Sequence, residues 1–241
     1  MSVADGQIAA SDRVRAEYGW LAQETRLIVR TFDFDLCPET WLDHDRLMDG
    51  CECLDRKVDG SPDHSRQRLA GDVIAALRAG RPEGFDLDPE LSRQVQQLVE
   101  IFARYEDPEY FISRAARIFE IAEGLRDVTS RPTYVDLVCE EGRCFLEMFL
   151  PIFAVSATPD FLAWFPSVAE VGNLVDKLVD ARADYRRGEM RIRPDLMHHA
   201  VLLREIAQRG VGAFRLFPNR PRLFWWAIRF FDPRRHLSAM V

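Results

Sequence analysis

Two pairs of aspartates stand four residues apart in segments patterned as helix. They are Asp55 with Asp59 and Asp180 with Asp184, and Asp176 extends the second pair by one turn. Residues four apart on a helix share a face, one turn above the other. Carboxylates that close repel each other, so the arrangement is unfavourable unless solvent or a cation separates the charges. The chain's only two lysines, Lys57 and Lys177, fall beside these acids. No histidine stands at matching spacing, and a donor set dominated by carboxylates favours a hard cation. Mg²⁺ is such a cation, and it keeps waters while bridging carboxylates to phosphates. The residue set therefore points to a site that takes a polyphosphate through Mg²⁺, with Lys57 and Lys177 as candidate contacts to its oxygens.

The elements that must position these acids read as helices. Proline recurs next to acids in Cys37-Pro38-Glu39, Asp88-Pro89-Glu90, Asp107-Pro108-Glu109, Thr158-Pro159-Asp160 and Arg193-Pro194-Asp195. Proline suits the first helical position and acids suit the first turn, so these sites read as helix starts. Apolar residues at three- and four-residue spacing then predict helices near 11–31, 38–59, 64–79, 89–106, 108–127, 132–156, 160–165, 167–187, 195–209 and 219–231. Gly60, Gly80, Gly188 and Gly210 are the expected terminators. Sustained alternation and hairpin turns between β-branched runs are missing, so the chain reads as one all-α domain over 1–241. In the helix from Val168 to Arg187, the pattern places Val168, Val171, Leu174, Val175, Leu178 and Val179 on an apolar face and the three acids opposite. In the earlier helix, Leu47, Cys51, Leu54 and Val58 form the core stripe, with Asp55 and Asp59 at its edge.

Composition sets bounds on the partners. A formal charge of −7 over 241 residues argues against nucleic acid, whose phosphates demand a basic surface. Apolar runs stay short of the roughly 18 residues that span a bilayer, and the N-terminus lacks a basic segment followed by an apolar core. The five cysteines are an odd set without metal-site spacing. A cytoplasmic protein with reduced thiols is the expectation. The adjacent His198 and His199 point in different directions on a helix and make a poor metal pair. The aromatic, basic stretch from Phe214 to His236 reads as a closing core helix, with loose membrane association as the sharper alternative.

Two segments carry a family resemblance. Leu54-Asp-Arg-Lys-Val-Asp-Gly60 resembles the first aspartate motif of the squalene/phytoene synthase family, D-x-x-x-D followed closely by Gly. Leu174-Val-Asp-Lys-Leu-Val-Asp-Ala-Arg-Ala-Asp-Tyr-Arg-Arg-Gly188 resembles its second motif, N-x-x-x-D-x-x-x-D-x-R-R-G, with Asp176 at the usual asparagine. The resemblance implies a class I terpenoid synthase-like helical bundle around a central cavity. It implies Mg²⁺ held by Asp55, Asp59, Asp176, Asp180 and Asp184. It also implies a prenyl diphosphate of C15 or C20, contacted by Arg186 and Arg187. The catalytic set would be Asp55, Asp59, Asp180 and Asp184.

The middle helix departs from the family. It carries Cys139-Glu-Glu-Gly-Arg-Cys144 where condensing enzymes have a tyrosine and a small, apolar stretch. The expectation is therefore a terpene synthase that cyclises or rearranges one prenyl diphosphate. Head-to-head coupling of two is the alternative, and a non-catalytic helical binding protein comes from a different class. Phe102, Tyr105, Phe111, Phe119, Tyr134, Phe145, Phe149, Phe153, Trp164 and Phe165 are the aromatics from which a pocket lining could be drawn.

Overall fold

The computed structural model describes residues 18–19, 21–59, 61 and 63–217. The expected helix 219–231, most of the aromatic C-terminal stretch, residues 11–17 and Gly60 lie outside the described residues. Nine helices and no strands are found among the described residues: α1 over 21–31, α2 Pro38–Asp59, α3 Asp63–Ala79, α4 Pro89–Phe102, α5 Pro108–Asp127, α6 Arg131–Glu147, α7 Leu150–Ala154, α8 Pro159–Arg187 and α9 Leu196–Leu216. The all-α expectation is met. No described helix is long and apolar enough to cross a membrane. The described residues fall into two compact units that divide between Pro108 and Glu109.

In the first unit α2 packs on α4 and α3. Leu47 and Leu54 of α2 are buried, as are Val73 and Leu77 of α3 and Leu91, Val95, Leu98 and Ile101 of α4. The approach is tight at Gly50, where an added Cβ would come within 2.8 Å of the Leu98 side chain. Asp88 caps α4 by accepting the Glu90 and Leu91 amides at 2.9 Å, and Pro89 takes the position where no donor is needed. α4 stops at Phe102, four residues short of the expected end. The chain tightens there into Arg104 N–H to Ile101 O and Tyr105 N–H to Phe102 O bonds. That turn lets the Arg104 guanidinium and the Tyr105 hydroxyl both reach the buried Asp43 carboxylate, at 3.0 Å and 3.2 Å.

In the second unit α8 packs against both α6 and α9, and α5 is tied to α6 through Arg114–Glu147 at 3.0 Å and Arg117–Glu140 at 2.8 Å. Three boundaries depart from the sequence expectation. The helix expected over 132–156 is two, α6 and α7, because Pro151 has no amide to donate and its ring crowds the Glu147 carbonyl. The helices expected at 160–165 and 167–187 are one, running through Pro166. The buried Phe161, Trp164 and Phe165 before the proline and Ala169 after it hold both halves in the core, where Phe153, Phe161 and Phe165 have ring centroids 4.8–5.2 Å apart. Gly210 does not end α9, which continues to Leu216. Beyond the glycine, Ala213 and Phe217 are buried, and Phe217 meets Trp164 edge-on at 5.2 Å.

α6 and α8 cross closely. A Cβ on Gly142 would stand 2.6 Å from the Ala169 carbonyl oxygen and 2.8 Å from the Asn173 Cβ, one of them backbone. Gly172, on the same helix α8, has nothing within 4 Å of such a Cβ. Gly142→Ala should therefore destabilise the protein by about 1–3 kcal/mol through overpacking. Gly172→Ala should stabilise it by up to about 1 kcal/mol by restricting the unfolded chain. Urea denaturation of the two variants checks this; equal shifts would contradict the seam.

Candidate functional site

The first acidic segment forms the last turn of α2. Val58 is half-buried and Asp55 lies on the border of the core, accepting a long hydrogen bond from the Tyr18 hydroxyl at 3.4 Å. Asp59 closes the helix, and its side chain lies outside the described residues. The two basic residues between these acids turn to α4. Lys57 Nζ pairs with Asp88 at 2.7 Å and Glu90 at 2.9 Å. Arg56 pairs with Glu90 at 2.6 Å and Glu52 at 3.2 Å. The Asp88 hydrogen bond raises the Lys57 pKa further above its ordinary value, and the Arg56 hydrogen bond lowers that of Glu90. Lys57 thus joins α2 to the start of α4 in this structure. Cys51 and Cys53 lie buried in the same turns, and burial pushes both thiols up, Cys53 to about 11. Protonated thiols are poor ligands, which leaves oxygen as the donor chemistry here.

The second segment forms the C-terminal part of α8. Gly188 ends the helix in the left-handed conformation at φ 75°, where glycine carries no Cβ penalty. The Glu189 amide donates to Asp184 O at 2.9 Å across that turn. The Arg186-Arg187-Gly188 ending of the motif is thus the helix stop itself, with both arginines exposed at its rim. Asp176 and Asp180 are half-buried, whereas Asp184 is 4 % exposed. The expected division into an apolar face and an acidic face therefore fails at both ends. Asp184 is inside and Val179 is outside, because α8 is covered from two sides, by α6 and α9.

Toward α6 the helix presents a polar seam. The Asn173 side-chain amide donates to Val138 O at 2.7 Å and to Glu141 Oε2 at 2.9 Å. One turn on, the half-buried Lys177 lies within electrostatic reach of Glu141, Asp176, Asp184 and the buried Tyr134. Burial opposes its charge, but the three carboxylates win and raise its pKa above the ordinary ammonium value. Asp184 is pushed toward its neutral form. Burial outweighs the attraction of Lys177 and Arg187, helped by repulsion from Glu189 and Asp180, and its pKa rises to about 6. Arg187 holds Asp184 at 2.6 Å and Glu189 at 3.0 Å.

Sequence reasoning passed over Asn173, Glu141 and Tyr134 as one group. The available signal was the spacing of Asn173, Lys177 and Asp184, which puts all three on one side of α8, the side that carries the acids. His198 of α9 is buried edge-on to Tyr134, with ring centroids 5.4 Å apart, and burial lowers its pKa, so it is neutral near pH 7. His199 stays nearer the surface, with its ring centroid 6.1 Å from that of His198. Of the aromatics considered as pocket lining, Phe102, Phe111, Tyr134, Phe149, Phe153, Trp164 and Phe165 are almost fully buried core. Among the described residues no group of three or more His, Cys, Asp or Glu side chains is placed to hold a metal ion.

The raised pKa of Asp184 makes a signed prediction. The folded protein holds the Asp184 proton more tightly than the unfolded chain, where the group titrates near 3.8. Its contribution to stability is present below that value and is lost as pH rises through about 6. In metal-free buffer, Asp184→Asn should match the parent near pH 4 and become relatively more stable by on the order of 1–3 kcal/mol at pH 7.5. Denaturation curves at the two pH values measure it; a difference independent of pH would refute the burial argument.

Comparison with protein-family models, with curated proteins and with solved structures found no match to this chain.

Proposed function

We propose that this protein is a Mg²⁺-dependent class I terpenoid synthase that ionises a prenyl diphosphate, C15 or C20, and cyclises or rearranges the resulting carbocation. The observation that supports this most is where the acids stand. Asp55 and Asp59 occupy the last turn of α2, and Asp180 and Asp184 the last two turns of α8. The C-terminal end of a helix carries the negative pole of its dipole, so carboxylates there are disfavoured unless a cation joins them. Both segments also resemble the family's motifs, with Asp176 in place of the usual asparagine, and their donors are oxygens, the set that Mg²⁺ takes.

In this reading Asp55, Asp59, Asp176, Asp180 and Asp184 are the metal-binding carboxylates. The chemistry Mg²⁺ supplies when bound is neutralisation of charge on the departing diphosphate. Lys177, kept cationic by Glu141, Asp176 and Asp184, and the rim residues Arg186 and Arg187 would orient the diphosphate oxygens. Lys57 would serve the same end only by leaving Asp88 and Glu90. An apolar cavity in the bundle would keep water from the carbocation. The Cys139–Cys144 stretch favours one substrate over two. Cys139, Gly142 and Cys144 are buried, Gly142 lies against α8, and Arg143 pairs with Glu170 at 3.6 Å. A stretch given over to helix packing offers no small-residue wall for a second chain.

A second reading, a non-catalytic helical protein, draws support from the pairing of Arg56 and Lys57 with α4 and of Arg187 with Asp184. Incubation with C10, C15 and C20 diphosphates separates the two. The enzyme should release diphosphate only with Mg²⁺ and give products that retain the substrate's carbon count. Asp55→Asn and Asp180→Asn should each lower the rate by on the order of 100-fold while the protein still folds. Full activity in both variants would overturn the metal assignment. Squalene- or phytoene-like products would move the protein to the coupling branch, and a parent protein inert toward all three substrates would leave the non-catalytic reading.

A further inference from the structure

α9 carries an exposed apolar line that its own unit leaves uncovered. Leu196, Ala200, Leu203, Ala207, Gly210 and Phe214 follow one another at alternating spacings of four and three, the a/d period of a coiled-coil seam. Leu196, Leu203 and Phe214 are 91 %, 54 % and 38 % exposed. Ala200 and Ala207 are exposed, and a Cβ added at Gly210 would meet nothing within 4 Å. The opposite face, with His198, Leu202 and Ala213, is buried on the side of the helices α9 packs with. Scattered surface leucines need no explanation, but a continuous stripe of this length marks an interaction surface.

We propose that this face docks on the same face of a second copy of the chain, with the two α9 helices antiparallel about a two-fold axis. In that register Leu196 meets the partner's Phe214, Ala200 meets the partner's Gly210 and Leu203 meets the partner's Ala207. Every pair joins an a to a d position, and reading from either chain gives the same list, the self-complementarity that a two-fold interface requires. Large residues face small ones beside the axis, and the alanines and glycine let the backbones come close. The stripe exposes roughly 500 Å² per copy, so the pair would bury on the order of 1,000 Å², about the least that a specific interface needs. The dimer is therefore weak and concentration-dependent.

Charge is consistent with this partner. Arg204 borders the stripe and comes near its own symmetry mate, but Glu205 of the same chain neutralises it at 2.7 Å. A lipid surface is the other partner that an apolar helix face could take. It asks for no a/d period and gains from unpaired basic residues, so the spacing and the Arg204–Glu205 pair favour a second copy. The inference stands apart from the enzymatic reading.

Sedimentation of the full chain across micromolar concentrations should show a monomer–dimer equilibrium. Leu203→Glu and Phe214→Glu, both at exposed positions, should keep the helical circular dichroism and shift the protein to monomer. Register is tested in a Cys37→Ser background, since Cys37 is an exposed thiol. A mixture of Leu196→Cys and Phe214→Cys variants should form disulfide-linked dimers on oxidation. Leu196→Cys alone should not, because its two copies would lie about 27 Å apart at 1.5 Å per residue. A monomer at all concentrations, a dimer unchanged by Leu203→Glu, or self-linking of Leu196→Cys would each overturn the proposal. A monomer that co-floats with anionic phosphatidylglycerol vesicles would give the face to lipid instead.

Discussion

The close crossing of α6 and α8 is the constraint from which the second unit follows. Gly142 brings the α8 backbone near enough that only a hydrogen atom fits beneath the Ala169 carbonyl. One turn along the seam the helices are bridged by Asn173, whose amide satisfies the Val138 carbonyl and Glu141 together. A polar bridge in a low-dielectric seam must be fully satisfied, and its carboxylate in turn needs a cation, which Lys177 provides. The seam thus fixes which face of α8 turns inward. It draws Asp184 into the core, where burial raises its pKa, and leaves Asp176 and Asp180 at the edge.

The first unit rests on a comparable arrangement with a different outcome. Gly50 sets α2 close to Leu98 of α4, and the basic residues between the two aspartates swing onto Asp88 and Glu90 at the start of α4. Acids at a helix N-terminus already suit the dipole, and the Arg56 and Lys57 pairs add charge-assisted hydrogen bonds to the cap. The lysine that the sequence sets beside Asp55 and Asp59 is thereby held by a structural partner. In α8 the corresponding lysine faces the acids of its own helix and of α6. The two acidic segments are alike in sequence and differ in electrostatics.

Much of the fold was legible because it depends on local chemistry. The Pro-acid starts place α2, α4, α5 and α8 within a residue of where they begin, since proline at the first helical position and an acid in the first turn act within the helix itself. Endings that depend on neighbours were not legible. α8 continues through Pro166 and α9 through Gly210 because buried residues on either side, Phe165 and Ala169 in α8 and Leu202 and Ala213 in α9, hold the helix in the core, and α4 ends early because Arg104 and Tyr105 turn back to Asp43. The candidate acids were legible as i, i+4 pairs. Their environments were not, because periodicity assigns one buried face to a helix and α8 has two. Gly142 carries no signal in a single sequence beyond a small residue inside a helix, and Asn173 none beyond its spacing from Lys177 and Asp184. Only the partner helix gives them meaning.

The central claim is that these carboxylates serve to bind a cation together with a diphosphate. Calorimetric titration of inorganic diphosphate into the full chain, with Mg²⁺ and then with Mg²⁺ removed by chelation, tests it most directly. The account predicts saturable binding that requires Mg²⁺ and disappears in Asp180→Asn. Binding of equal strength without Mg²⁺, or no binding under either condition, would contradict it.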